Sequence, residues 1–172
     1  EFRRVLFRSV TSKYNEIFEA SIGKLDGKIK EIESLVMGGS RVISTILGEE
    51  HYDNSDIDVY VDYPLIVIDG MEIDSDFDRW VVSELGGVLV LNMNYQDKSC
   101  KYMCKDFVLN IISTGCTGSS EIIKYIRETS DLSICASVYD GHNTHFSPTI
   151  FMKKAYITNA HLRDTTFVEP DD

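Results

Sequence analysis

Two aspartates one residue apart, Asp56 and Asp58, interleave with Ile57, Val59 and Val61. This alternation constrains the chain more than any other feature. It reads as a strand with one apolar face turned to a core. Side chains alternate across a strand, so both carboxylates share the other face, about 6.6 Å apart along it. Two hard oxygen ligands at that spacing can bracket a divalent cation. Mg²⁺ takes few carboxylates and fills its other positions with water and phosphate oxygens. Gly38-Gly39-Ser40 stands just upstream and opens a stretch of helical spacing over residues 40–47. Glycines let backbone N–H groups approach a phosphate closely. A helix start adds its positive dipole end. The fold must therefore bring a glycine turn, a helix start and a two-acid strand together.

The string over residues 37–61, MGGSRVISTILGEEHYDNSDIDVYV, resembles the DNA polymerase beta-like nucleotidyltransferase superfamily. That family carries Gly-Gly-Ser or Gly-Ser, a short helix, and a strand with Asp-x-Asp. Ile46-Leu47-Gly48 before the acidic strand is also similar to the head domains of tRNA nucleotidyltransferases and poly(A) polymerases. The segment between Ser40 and Asp56 is longer than in the family. Residues 49–55 are expected to form an extended loop, which costs little because closure entropy grows slowly with length. The resemblance implies the nucleotidyltransferase fold, an α/β (α+β) domain with a mixed sheet of about four to five strands and helices packed against it. It implies Mg²⁺- (or Mn²⁺-) dependent transfer of NMP from NTP to a hydroxyl, with pyrophosphate leaving. Asp56 and Asp58 are the implied metal and catalytic residues. Gly38, Gly39, Ser40 and Ser55 are the implied nucleotide contacts.

The family normally adds a third acid on a neighbouring strand. Here that strand reads Lys105-Asp106-Phe107-Val108-Leu109-Asn110-Ile111-Ile112, and Asn110 stands at the matching position. Asn is neutral and binds Mg²⁺ less well than a carboxylate. Asp106 is four residues away, about 13 Å along a strand, so both serve one site only if the strand bends. Residues 127–141, RETSDLSICASVYDG, offer another acid. They resemble the Arg-Arg-Asp-Phe-Thr-Ile-Asn-Ala motif of tRNA nucleotidyltransferase heads, which contacts nucleotide sugar and phosphates. Asp131 matches the Asp, Ser133 the Thr and Ala136 the Ala, while Cys135 replaces Asn and Ser130 replaces an Arg. Asp-Leu-x-x-Cys with Tyr-Asp-Gly behind it is similar to nucleotidyltransferase-like proteins of giant viruses and some fungi. Two readings stay open. In one the chain is an enzyme, with Asp131 as third acid or sugar contact and Asn110 beside the nucleotide. In the other it is a catalytically degenerate member that binds nucleotide or a protein partner, or an antitoxin-like or structural module that kept the fold.

Charge narrows the partners. A net charge of −11 disfavours a broad nucleic-acid surface, because such grip needs Lys and Arg on phosphates. The acceptor stays open between a small molecule, a protein and an RNA end. No stretch approaches the twenty apolar residues of a membrane span. Cys100, Cys104, Cys116 and Cys135 lack zinc spacing and read as reduced thiols of a cytoplasmic protein, viral or host cytoplasm included. His142 and His145 flank a turn.

Residues 1–9, EFRRVLFRS, resemble the in-frame translation of a sequencing-library adapter and are set aside. Residues 10–150 are expected to form the nucleotidyltransferase-like domain, and 151–172 a C-terminal helix and acidic tail. That tail is too short for the helical neck, body and tail of a complete tRNA nucleotidyltransferase. Helices are predicted over 14–35 (with a break near Gly23 or Gly27), 41–47, 77–85 and 119–128. Strands are predicted over 56–63, 88–95, 101–113 and 131–139, with a short one over 144–146 and a turn over 96–100.

Overall fold

The computed structural model describes residues 8–11, 14–49, 56–68, 72–90 and 98–152. The chain runs β1 (Arg8–Thr11), α1 (Asn15–Ile22), α2 (Lys24–Glu31), β2 (Val36–Gly38), α3 (Ser40–Leu47) and β3 (Asp56–Val61). It continues through β4 (Val67–Ile68), β5 (Glu72–Ile73), α4 (Asp76–Leu85), β6 (Val88–Val90), β7 (Ser99–Met103) and β8 (Val108–Ser113). The last elements are α5 (Gly118–Thr129), β9 (Val138–Tyr139) and β10 (Asn143–Phe146), with short 3-10 turns at Ser133–Ala136 and Pro148–Met152.

Eight strands form one mixed sheet in the order β1-β10-β9-β2-β3-β8-β7-β6, and β4 pairs with β5 separately. Among the described residues, only β3 and β8 run parallel in that sheet. The α/β expectation holds, with more strands than the four to five expected. The extra strands are short, and three to four residues carry too little alternation to stand out. Val36–Gly38 lies just after the helical run, and Arg8–Thr11 pairs with β10 at the sheet edge.

The predicted helix over 14–35 breaks at Gly23, whose φ of 57° suits glycine, and stops at Glu31. At α4 the Ser75 side chain accepts from the Asp78 N–H at 3.2 Å, and Gly86 ends the helix in the left-handed region. The predicted strand over 101–113 is two strands joined by a turn through residues 104–107. The Cys104 N–H closes that turn on the Phe107 carbonyl. β7 therefore begins at Ser99, inside the segment expected to be the turn. The predicted strand over 131–139 is a 3-10 turn followed by the two-residue β9.

Each face of the sheet has its own cover. Ile57, Val59 and Val61 of β3 join Leu109 and Ile111 of β8 in a core closed by Phe18, Leu25, Ile29, Val42, Phe77 and Val81 from the helices. On the other face α5 packs Ile122, Ile123 and Ile126 over Val36, Ala136 and Val138, with Tyr60 at its margin. Tyr60, Asp58 and Asp56 follow one another along that second face. The two aspartates, half-buried, stand beyond the tyrosine that borders the α5 cluster. Among the described residues, no helix is long and apolar enough to cross a membrane.

Candidate active site

The sheet register brings the sequence-predicted residues together. Gly38 pairs with Asp58 across β2 and β3, and Asp58 pairs with Asn110 across β3 and β8. Asn110 Nδ2 donates to Asp56 Oδ2 at 3.1 Å and to Asp58 Oδ1 at 2.9 Å. One nitrogen thus touches both carboxylates, so their oxygens converge on a common point. Lys101 of β7 adds an ion pair, with Nζ 3.7 Å from Asp56 Oδ2.

The glycine turn presses on this pair from the other side. Gly39 has φ 82° and stands at the N-cap of α3, and its carbonyl accepts from the Val42 N–H at 3.2 Å. A Cβ there would stand 2.5 Å from Asp58 Oδ2. A Cβ on Gly38 would stand 2.9 Å from the Tyr60 ring. Both glycines are therefore required by close approach. The opening N–H groups of a helix lack intrahelical acceptors, and the residue just before those of α3, Gly39, presses on Asp58. Ser40 is exposed at that start.

Electrostatics follow from this packing. Burial pushes the Asp58 carboxyl above its ordinary value. The Asn110 hydrogen bond pulls it back, nearby Asp56 adds to the rise, and Lys101 opposes it. Burial and Asp58 push the Tyr60 hydroxyl up to about 12, so it stays protonated at neutral pH.

The other candidate acids sit on segments between regular elements. Asp106 is exposed in the turn between β7 and β8, off the strand that carries Asn110. Asp131 is exposed between α5 and the 3-10 turn, whose Cys135 lies within electrostatic reach of Tyr60. Asp56 and Asp58 are touched by Asn110, Lys101 and the Gly39 turn. Ser55 lies outside the described residues. His145 Nε2 sits 3.0 Å from Asp140 Oδ2 and so helps to hold the turn before β10. All four cysteines are free of disulfides. The sequence leaves Lys101 open between a charge facing a triphosphate and the protective charge of an edge strand, because residues 101–113 read as one strand. Lys101 meets Asn110 only once the chain folds back on itself.

A hard divalent cation fits this donor set. Two carboxylates converge on one point, and a rotated Asn110 amide turns its Oδ1 toward it. Among the described residues, no group of three or more His, Cys, Asp or Glu side chains gathers to hold a metal. Phosphate oxygens and water would complete the coordination of such an ion.

No protein-family model matches the chain, and no curated protein sequence matches it. Solved structures do. A CCA-adding enzyme in complex with ATP aligns at TM-score 0.60 and 16% identity, covering 92% of this chain and 38% of that one. The complex of a CCA-adding enzyme with CTP aligns at TM-score 0.61 and 18% identity, over 88% of this chain and 36% of that one. The Thermotoga maritima CCA-adding enzyme complexed with tRNA aligns at TM-score 0.58 and 19% identity, over 92% and 37%. The chain spans less than two fifths of the length of these neighbours. At such identities the likeness shows the fold alone, and that fold is nucleotidyltransferase-like.

Proposed function

We propose that this chain is a Mg²⁺-dependent nucleotidyltransferase domain that moves NMP from NTP to a hydroxyl acceptor. One observation carries the reading: the Gly39 turn and the start of α3 lie in contact with Asp58, which shares one face with Asp56. That contact supports a phosphate site and a metal site close enough to share one triphosphate. The Gly38, Gly39 and Ser40 backbone and the α3 start would hold the phosphates. Asp56 and Asp58 would hold Mg²⁺ or Mn²⁺, with Asn110 and Ser55 beside the nucleotide. Bound there, the cation would neutralise the phosphate oxygens and stabilise charge on the departing pyrophosphate. The protein's part is positioning and preorganised charge. Asp131 would contact the sugar from the segment near Tyr60. The ATP and CTP bound by the structural neighbours support a nucleotide as partner.

The test is calorimetric binding of the four NTPs with Mg²⁺, to wild type and to Asp56→Ala/Asp58→Ala. Metal-dependent binding of at least one NTP, lost in the double variant, is expected. A folded wild type that binds none of them rejects the reading. A second reading, a degenerate domain that binds without transfer, is favoured by Asn110 donating to both carboxylates. It predicts NTP binding with no pyrophosphate release, even with a large excess of hydroxyl acceptors.

A further inference from the structure

The line of side chains that begins at Gly38 does not end at Asn110. Lys101 pairs with Asn110 across β7 and β8. Asn110 pairs with Asp58, and Asp58 with Gly38. Four adjacent strands therefore carry Gly38, Asp58, Asn110 and Lys101 in one row, about 4.8 Å per step. The row is polarised. The glycine backbone lies at one end, the Asp58 carboxylate next, and a neutral donor and an ammonium toward the other end. Asp56 Oδ2 accepts from Asn110 Nδ2 at 3.1 Å and pairs with Lys101 Nζ at 3.7 Å. Lys101 and Asn110 thus meet on the same carboxylate oxygen.

We propose that Lys101 and Asn110 take the place of a second metal ion, so that the site holds one divalent cation and uses the Lys101 ammonium on the acceptor side. This rests on the nucleotidyltransferase reading for the first cation and its nucleotide. Three points carry it. A second divalent ion needs another oxygen anion beside the pair, and the position that faces both carboxylates holds an amide. The β7 side of the pair already holds the Lys101 ammonium, 3.7 Å from Asp56 Oδ2, which repels a further cation at close range. Direction agrees as well. Phosphoryl transfer keeps attacking and leaving oxygens roughly in line. With pyrophosphate leaving toward the Gly39 turn, the hydroxyl arrives over β8 and β7, where Lys101 stands. There the acceptor oxygen bonds to the α-phosphorus as the α–β bridging P–O bond breaks. Pyrophosphate leaves with that electron pair, and the hydroxyl proton passes to solvent. Lys101 holds the acceptor oxygen and offsets charge on the phosphoryl oxygens.

Ion stoichiometry tests this without turnover. Mn²⁺ is titrated into the folded chain with the α,β-methylene analogue of each NTP in turn, and bound ions are counted by electron paramagnetic resonance. One Mn²⁺ per nucleotide-bound chain is expected for wild type, with no spin coupling between ions. Lys101→Met/Asn110→Asp should bind two coupled Mn²⁺, because it restores the anion and removes the ammonium. Asn110→Asp alone, with Lys101 kept, should bind the second ion more weakly than the double variant. Two coupled ions in wild type overturn this proposal and leave the nucleotidyltransferase reading standing. A folded double variant that still binds one ion also overturns it. No Mn²⁺–nucleotide binding to folded wild type overturns both.

Discussion

Gly39 is held so tightly against Asp58 that one methyl group tests the site. Its φ of 82° disfavours any L side chain, and the added Cβ meets Asp58 Oδ2 at 2.5 Å. Backbone strain of this kind costs on the order of 1–3 kcal/mol. Gly48, left-handed at φ 68° and ψ 24° with nothing within 4 Å of its Cβ position, reports a milder backbone strain without displacement. Gly39→Ala is expected to weaken Mg²⁺–NTP binding by about tenfold or more, the equivalent of moving one ligand by about 1.4 kcal/mol. Gly48→Ala should lose melting temperature and keep binding. Calorimetry and thermal melts on both variants decide this, and equal binding losses would place the effect in general strain. Asp58 supplies a second test, because its carboxyl is raised by burial. A raised folded-state value stabilises the fold below the unfolded-state value, near 3.8, and that contribution is lost as pH rises through the folded value. Ionised Asp58 therefore costs stability at neutral pH. Asp58→Asn should melt at a higher temperature than wild type at pH 7. The gap should shrink as pH falls toward 3.8, as melts over a pH series would show. The two aspartates were legible in the sequence because a period of two needs no partner strand. Lys101 was legible only as one of two alternatives, because its place beside Asn110 depends on register.

The β7–β8 hairpin makes the same point for elements. Residues 101–113 alternate well enough to read as one strand, and the reversal at 104–107 carries no glycine or proline to mark it. What fixes the hairpin is tertiary. Tyr102 of β7 is fully buried and donates its hydroxyl to Asp78 of α4 at 2.6 Å. Tyr63 donates to the same carboxylate at 2.7 Å, and the Cys100 thiol points to it at 3.8 Å. Burial and Asp78 push the Tyr102 hydroxyl upward, so it remains a donor. A buried carboxylate that loses a donor costs about 1–3 kcal/mol. Tyr102→Phe should therefore lower stability by that amount in urea melts. It should leave Mg²⁺–NTP binding unchanged, because Tyr102 faces the opposite side of β7 from Lys101. Unchanged stability would mean that Asp78 is satisfied without it. The 3-10 turn at Ser133–Ala136 was read as strand for a related reason. Leu132, Ile134, Ala136 and Val138 alternate, yet Ala136 and Val138 pack under α5 while Leu132 stays exposed. Alternation alone does not distinguish a strand from a turn whose burial comes from a neighbouring helix.

At the scale of the molecule, fold class was legible because helical and strand periods alternate along the chain, whereas sheet order was not. The sheet joins the two ends of the described chain, β1 and β10, and local pattern says nothing about such distant pairs. Charge, in contrast, is fully legible, and it makes a prediction about the acceptor. A chain with 17 basic and 28 acidic residues repels a polyanion over most of its surface. If an RNA end reaches the site, the cation that the carboxylate row presents to it is Lys101. Single-stranded binding loses affinity with salt at a log–log slope of about −0.7 per neutralised phosphate. One or two such contacts give a slope of about −0.7 to −1.4. Fluorescence anisotropy of a short labelled RNA, with Mg²⁺ held constant across a monovalent salt series, should return weak binding within that range. Lys101→Met should flatten it toward zero. A slope near −4 would require several more phosphate contacts than the row provides. It would place RNA recognition on a basic surface away from the carboxylates, and a shallow slope that survives Lys101→Met would take the lysine out of the acceptor path.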